Sequence, residues 1–278
     1  MESIPIIRGR SLDQQSPEHR EMLNYENGSA DHDVAKLSGP HSEPWLNALA
    51  TFEPGSPPAL ERILTNPSTR PAVRGKVIDL AAGTCWATAR ISKIQDVNEV
   101  VALDMSERFL TTVADRIVTQ LAGKREKIRF AVSSFNDIPL ESDYFDCAFM
   151  IAAIHHSVTP LRTLTEVLRV LKPNGSLLVI EAPSSVIGIR KARQKGHQIT
   201  TESGATEIAY TRGELEYMLV HAGFKDINFH AVDDLTRNPI KLAIRKMLRA
   251  AGWEDLLLAV TYFIHAKKSG SATSPRGL

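Results

Sequence analysis

Two aspartates follow apolar runs at positions where their carboxylates could bind a ligand. Asp79 lies at the end of one run, and the small residues from Ala81 to Gly83 after it let the backbone turn tightly. Asp104 lies at the end of the next apolar run. A carboxylate in Asp104's position can accept hydrogen bonds from both hydroxyls of a ribose, and Asp79 could pair with a ligand ammonium group. The turn and the second acid together indicate a ligand of the adenosine type.

A second group of candidates could move a proton. His155 and His156 follow the apolar run 145–153, and Glu181 lies near the end of the run 175–182. Imidazole suits the removal of a proton from a hydroxyl near neutral pH, and Glu181 could assist or orient such a base. A packed, structural role for the two histidines at a strand end stays open. No metal site is predicted, because the other histidines lack ligand spacing and the chain has 2 cysteines.

The elements that must position these residues alternate between strand-like and helix-like patterns. Short, β-branched apolar runs predict strands, and longer amphipathic stretches between the first five of them predict helices at 86–94, 106–121 and 158–171. The predicted strands are 76–81, 99–105, 127–133, 145–153, 175–182, 224–232 and 256–268. This alternation predicts an α/β fold with a doubly wound, mostly parallel seven-stranded sheet and helices on both faces.

The two ends and one insertion differ from this pattern. Residues 1–70 are polar and rich in Pro, Ser and His, with helix candidates at 43–52 and 58–64, which predicts a helical N-terminal extension. Residues 269–278 have the composition of a disordered tail. Residues 239–251 form an amphipathic helix pattern with a basic side, for which a peripheral membrane contact is an alternative to covering the substrate pocket. We expect this helix and the N-terminal extension to cover the substrate pocket from two sides.

Composition excludes several classes of protein. The chain has 278 residues, 43% of them hydrophobic, which suits one large α/β domain with extensions. Its net charge of +1 does not favour binding to a nucleic acid. No apolar run approaches the roughly 18 residues of a membrane span, and the N-terminus lacks the pattern of a signal peptide. The sequence therefore predicts a cytoplasmic protein with neither a membrane nor a nucleic-acid partner, and it leaves the oligomeric state unknown.

The chain from about 76 to 183 resembles the class I S-adenosylmethionine-dependent methyltransferases, in particular their small-molecule branch. VIDLAAGT (77–84) is similar to the first motif of that family and VVALDMS (100–106) to the second. The remaining core motifs follow in family order and spacing across 135–181, and TRGELEYMLVHAGF (211–224) resembles a late family helix. The resemblance implies a Rossmann-like methyltransferase domain over 71–268, with residues 1–70 as a lid on the substrate side.

The resemblance also implies a cofactor, S-adenosyl-L-methionine, and methyl transfer to an O, N or C nucleophile of a small-molecule metabolite. By this resemblance, nine residues would contact the cofactor. They are Asp79, Ala81 and Gly83 at the methionine portion, Asp104 and Met105 at the ribose and adenine, Ser134 and Phe135 along the adenine edge, and Ile151 and Ala152 at the methionine end. His156, His155 and Glu181 are the catalytic candidates.

Two departures from the family pattern leave other functions open. Cys85 stands where the family usually has a third glycine, and Ser134 stands where it often has Asp. A reshaped sulfonium site could instead serve aminocarboxypropyl transfer or an intramolecular cyclisation that releases methylthioadenosine. A nicotinamide oxidoreductase fits poorly, because the turn lacks G-x-G-x-x-G. A binding module that holds the cofactor without turnover is a further alternative.

Overall fold

The computed structural model describes residues 6–11, 14, 17–25, 56–194, 199–200, 206–232 and 238–270. Their centre is one eight-stranded sheet, beside which two short strands form a separate pair. The strands of the main sheet are β1 (Ile6–Arg8), β2 (Gly75–Leu80), β3 (Val97–Asp104), β4 (Ile128–Val132), β5 (Phe145–Ile151), β6 (Leu171–Glu181), β9 (Lys225–Ala231) and β10 (Tyr262–Lys267). The separate pair is β7 (Ile199–Thr200) and β8 (Thr206–Glu207).

The order of strands in the sheet is β1-β4-β3-β2-β5-β6-β10-β9. All neighbouring pairs are parallel except those of β10, which runs antiparallel to both β6 and β9. The chain winds outward from β2 through β3 to β4 and then returns to place β5 on the other side of β2. This reversal creates a switch point between β2 and β5, where the carboxyl ends of a doubly wound sheet bind ligands.

Helices cover both faces of the sheet, and each face has its own hydrophobic core. The helices are α1 (Pro17–Tyr25), α2 (Ser56–Thr65), α3 (Trp86–Ser92), α4 (Ala114–Gln120), α5 (Pro160–Val170), α6 (Val186–Gln194), α7 (Arg212–Ala222), α8 (Pro239–Ala250) and α9 (Glu254–Leu257). Side chains of α2, α3 and α4 pack in one core, and those of α5 and α7 pack in the other. The β-branched and aromatic residues of the parallel strands are buried between these two layers, as expected for such sheets.

The doubly wound, mostly parallel sheet with helices on both faces is confirmed, but the main sheet has eight strands and not seven. The additional strand is β1, whose Ile6 pairs with Phe130 of β4. Three residues within a polar N-terminus carry too little periodicity to predict a strand. Their partner is distant in the chain, so only the tertiary structure reveals the pairing.

The last predicted strand, 256–268, is too long at its start. The structure has the helical turn α9 there, and β10 begins only at Tyr262. Glu254 anchors this turn, because its buried carboxylate accepts hydrogen bonds from Nε and Nη2 of Arg249 at 2.5 and 2.8 Å. An apolar run that looked like one strand therefore serves two elements.

The described part of the N-terminal extension is closely joined to the core. The predicted helix at 58–64 is confirmed within α2, which buries Ala59, Leu60 and Ile63 completely. The predicted helix at 43–52 and the last residues of the predicted tail, 271–278, lie outside the described residues. Within the described ranges, no helix is both long and apolar enough to cross a membrane.

Candidate functional site

The turn after β2 has an unusual backbone. Ala81, Gly83 and Cys85 have φ angles of +56°, +50° and +64°, in the left-handed region. For a residue other than glycine this region costs roughly 1–2 kcal/mol, so the turn holds strain at two positions. A Cβ built on Gly83 would have no heavy atom within 4 Å, so open space lies beside this residue. Strain next to open space is typical of a ligand-binding loop.

Asp104 fastens this turn to the end of β3. Its Oδ2 accepts a hydrogen bond from the backbone N–H of Gly83 at 2.7 Å, and its Oδ1 accepts one from Ser106 N–H at 2.8 Å. The side chain is 3% exposed. Each carboxylate oxygen has a second lone pair, so the group can accept further hydrogen bonds from a ligand. Asp104 therefore shapes the turn and also presents acceptors to the space beyond it.

A cavity opens at the carboxyl ends of β2, β3, β4 and β5, next to the switch point. It contains about 600 Å³ of space that protein atoms do not fill, including its mouth. Its walls combine apolar side chains, which suit a flat ring system, with the Asp104 carboxylate and the His156 imidazole. The lining residues are Ala81, Leu103, Asp104, Met105, Ser133, Phe135, Ala152 and His156.

Many of the residues predicted from sequence are brought together here. Of the predicted cofactor contacts, the cavity wall includes Ala81, Asp104, Met105, Phe135 and Ala152. Asp79, Gly83 and Ile151 lie in the adjoining turn and strand ends rather than in the wall itself.

Ser133 lines the cavity, whereas the predicted Ser134 is buried and accepts a hydrogen bond from Asn136 N–H at 3.1 Å. Sequence reasoning missed Ser133 because it placed that residue inside the strand 127–133, while β4 ends at Val132. It also missed Leu103, which precedes the recognisable acid.

Asp79 is buried beneath the turn. It is 2% exposed, and the hydroxyl of Thr88 donates a hydrogen bond to its Oδ2 at 2.5 Å. The pKa of Asp79 is raised to about 7, chiefly because burial disfavours the charged form; the Thr88 hydrogen bond opposes this rise, and the nearby charge of Asp104 adds a smaller increase. A carboxyl group in this condition can gain or lose a proton near neutral pH, and a cation placed beside it would favour the charged form.

The two histidines have different surroundings. His155 Nδ1 lies 3.0 Å from Glu181 Oε1, which also accepts a hydrogen bond from Ala182 N–H at 3.0 Å. His156 lines the cavity, and the two imidazole rings have centroids 4.2 Å apart. The structure therefore places Glu181 against His155, while His156 is the histidine that faces the ligand space.

Cys85, which stands where the family usually has glycine, does not narrow the cavity. Its side chain is fully buried in the hydrophobic core, and Trp86 beside it is 7% exposed. Burial raises the pKa of the Cys85 thiol well above its ordinary range, so the thiolate form is strongly disfavoured. The substitution changes the packing under α3 rather than the chemistry of the site.

Comparison with known proteins agrees with this geometry. Residues 78–179 match the family described as "Methyltransferase domain". A demethylmenaquinone methyltransferase from Clavibacter sepedonicus is 33% identical over 122 residues, which are 44% of this chain and 47% of that protein. A ubiquinone/menaquinone biosynthesis C-methyltransferase from Proteus mirabilis is 30% identical over 113 residues, or 40% of this chain and 44% of that protein. The chain thus spans about half the length of these curated relatives.

Solved structures share the fold over nearly the whole chain. A 1,6-didemethyltoxoflavin-N1-methyltransferase from Burkholderia thailandensis, with bound substrate and S-adenosylhomocysteine, has a TM-score of 0.58 at 17% identity and covers 94% of each chain. The [4+2]-cyclase SpnF has a TM-score of 0.57 at 17% identity and covers 96% of this chain and 99% of its own. At this identity the likeness shows the fold alone.

The sheet order, the strained turn and the matched motifs define a Rossmann-like methyltransferase domain. Residues 78–179 match the methyltransferase domain family, and both curated relatives are methyltransferases by name.

Proposed function

We propose that this protein is an enzyme that transfers the methyl group of S-adenosyl-L-methionine to an O, N or C nucleophile of a small-molecule metabolite. The observation that carries the proposal is the cavity at the switch point, whose wall holds Asp104 beside apolar side chains. This combination of an acidic acceptor and apolar walls suits the ribose and base of a nucleoside. The matched family supports the same cofactor through motifs that surround this cavity.

Each part of the cofactor has a matching part of the site. Asp104 would accept hydrogen bonds from the ribose hydroxyls, while Met105 and Phe135 would pack against the adenine ring. Asp79 and the open space beside Gly83 would receive the methionine portion, whose ammonium favours ionised Asp79. The remaining proposed contacts are Ala81, Ser134, Ile151 and Ala152. When bound, the cofactor supplies an electrophilic methyl group on a cationic sulfur.

The chain's own contribution to the reaction would be alignment and, for an acceptor that must lose a proton, a base. Holding acceptor and methyl group in line, with water excluded, can supply most of the rate enhancement of such a transfer. His156 is the imidazole in the cavity wall and would take the acceptor's proton. Glu181 fixes the orientation of His155, which packs next to the ring of His156, so both would act as positioning residues.

The acceptor is proposed to be a small molecule because the relatives named above are methyltransferases of small molecules. We also propose that residues 1–70 form a lid and substrate wall, that 71–268 form the cofactor domain, and that 269–278 are a disordered tail. A cytoplasmic location fits the buried, unpaired thiols of Cys85 and Cys147, since a reducing compartment preserves them.

Analysis of the cofactor product tests the proposal. The purified protein is incubated with S-adenosylmethionine and a panel of phenols, amines and activated-carbon acceptors, and the nucleoside products are separated by mass spectrometry. S-adenosylhomocysteine together with a methylated acceptor is the expected result. Methylthioadenosine would show the alternative chemistry, and calorimetric binding without any product would show a binding module. Absence of cofactor binding would refute the proposal as a whole.

A further inference from the structure

Helix α8 leaves its apolar side uncovered. None of its 12 residues is buried, although Ile240, Ile244 and Met247 lie on one side at helical spacing. Their side chains are 70%, 45% and 63% exposed. A helix of this length is marginal in water by itself and normally gains its stability by packing an apolar side. The apolar side of α8 is therefore open to a partner.

Two neighbouring helices also leave apolar side chains exposed. Helix α9 packs against both α8 and α6. Leu256 and Leu257 of α9 are each 41% exposed, and Trp253, at the start of α9, is 58% exposed. Val186 and Ile187 at the start of α6 are also exposed. We call the exposed apolar side chains of α6, α8 and α9, together with Trp253, the three-helix surface.

Positive charge predominates on the two longer helices of the three-helix surface, while the acids Glu254 and Asp255 of α9 are paired with arginines. Helix α6 reads VIGIRKARQ and α8 reads PIKLAIRKMLRA, so both contain several basic residues and neither contains an acid. Arg245 and Arg249 of α8 pair with the buried Glu254, while Lys241 and Lys246 are exposed, as is Arg190 of α6. Because the whole chain has a net charge of only +1, positive charge is concentrated here.

We propose that the three-helix surface docks on the surface of an anionic lipid bilayer. An amphipathic helix with Lys and Arg on its polar side and large apolar residues with Trp on the other lies in the interface of such a membrane. Exposed apolar side chains enter the acyl boundary, and the lysines and arginines meet the lipid phosphates. The sequence predicts instead that this helix covers the substrate pocket and that the protein has no membrane partner. The docking proposal differs from both predictions and rests on the exposure of the apolar side of α8.

The position of this surface connects it with the candidate site. Helix α6 follows β6, and α8 and α9 connect β9 to β10. Tyr262, the first residue of β10, pairs with Glu181 and Ala231, the last residues of β6 and β9. The three helices thus lie at the same edge of the sheet as the cavity. An acceptor dissolved in the bilayer would reach the cavity from this side, a consequence that rests on the proposed function, whereas the docking itself does not.

Vesicle flotation with the full chain tests the docking. One set of vesicles contains only phosphatidylcholine, and the other contains phosphatidylcholine with phosphatidylglycerol. The protein should float with the anionic vesicles, less with the neutral ones, and less at high salt, because screening weakens the lysine contacts. The double variants Ile244→Asp/Met247→Asp and Lys241→Glu/Lys246→Glu should each lower the fraction bound to anionic vesicles at least tenfold.

Val220→Asp is the matched control. Val220 is a 47% exposed apolar residue on α7, outside the three-helix surface, and its replacement should leave vesicle binding unchanged. Circular dichroism and calorimetric cofactor affinity, which should equal those of the wild type, verify that every variant folds.

Failure of the wild type to bind either vesicle, or equal binding by all variants, would overturn the docking. So would a dimer in light scattering that the Ile244→Asp/Met247→Asp variant converts to monomer without any vesicle binding, because a second copy would then cover the surface. Cofactor binding is measured separately, so the proposed function and the docking can fail independently.

Discussion

Replacing Asp79 by Asn removes a buried acid whose charge the folded protein disfavours. The pKa of Asp79 is raised from 3.8 to about 7, chiefly by burial. A gap of about three pH units corresponds to about 4 kcal/mol, at about 1.36 kcal/mol per unit. The pKa of Asp79 is higher in the folded protein than in the unfolded chain, so its ionisation costs no stability below about pH 4. The free energy of unfolding then falls as the pH rises from about 4 to about 7. Without cofactor, Asp79→Asn should therefore unfold at higher urea concentration than the wild type at pH 8, but not at pH 4.

The same ionisation should couple to cofactor binding. A ligand ammonium placed beside Asp79 favours the carboxylate, so wild-type affinity should rise by up to about tenfold per pH unit as the pH approaches 7 and then level off. At pH 8 the wild type should bind S-adenosylmethionine more tightly than Asp79→Asn. At pH 5.5 both proteins present a neutral side chain, and their affinities should converge.

Isothermal titration calorimetry of the two proteins between pH 5.5 and 8 measures this difference. The ligand's own α-amino group titrates at about 7.7–8.0, but it does so for both proteins. The ratio of their dissociation constants therefore isolates Asp79. A ratio that stays constant across this range would refute the assignment of Asp79 to the methionine end of the site.

Three further variants test other parts of the site. Asp104→Ala should weaken cofactor binding by about 1.5–3 kcal/mol in calorimetry and also lower the melting temperature, because two backbone N–H groups lose their acceptor; unchanged affinity would remove Asp104 from the site. His156→Phe should lower turnover by roughly 10²–10⁴-fold per folded molecule with little change in cofactor affinity, and an unchanged rate would leave alignment alone as the mechanism. Gly9 follows β1 directly, and its N–H donates a hydrogen bond to the carbonyl of Val132 in β4. Gly9→Ala should lower the free energy of unfolding in urea by about 1–3 kcal/mol, since the added Cβ would lie 2.0 Å from Ser133 Oγ. Wild-type stability would show that β1 does not dock as described.

The sequence was most informative where local pattern and tertiary structure agree. The short β-branched strands predicted the doubly wound sheet, and the acids at their ends predicted a ligand site where parallel strands bring their carboxyl ends together. The family resemblance implied most of the cavity wall. Asp104 and Phe135 were predicted from sequence and lie in that wall. The site was predicted less well after β4, where the last residue of the strand decides which serine faces the cavity. Ser133 lines the cavity, and the predicted Ser134 does not.

Features that depend on distant contacts could not be predicted. The strand β1 is defined by its pairing with β4, and the helical turn before β10 begins at Glu254, whose carboxylate contacts Arg249 of the preceding helix. The partner of Glu181 is His155 because the folded chain brings the end of β6 beside the end of β5.

The sequence by itself determined the fold class and the nature of the ligand site, because both depend on periodicity and on residues near one another in the chain. Only the tertiary structure decided which histidine faces the cavity, how strongly Asp79 is buried, and that α8 exposes its apolar side. Burial and side-chain direction result from packing among elements far apart in sequence. The amphipathic pattern of α8 predicts a helix with an apolar side, but whether protein, lipid or water meets that side is settled by the elements around it.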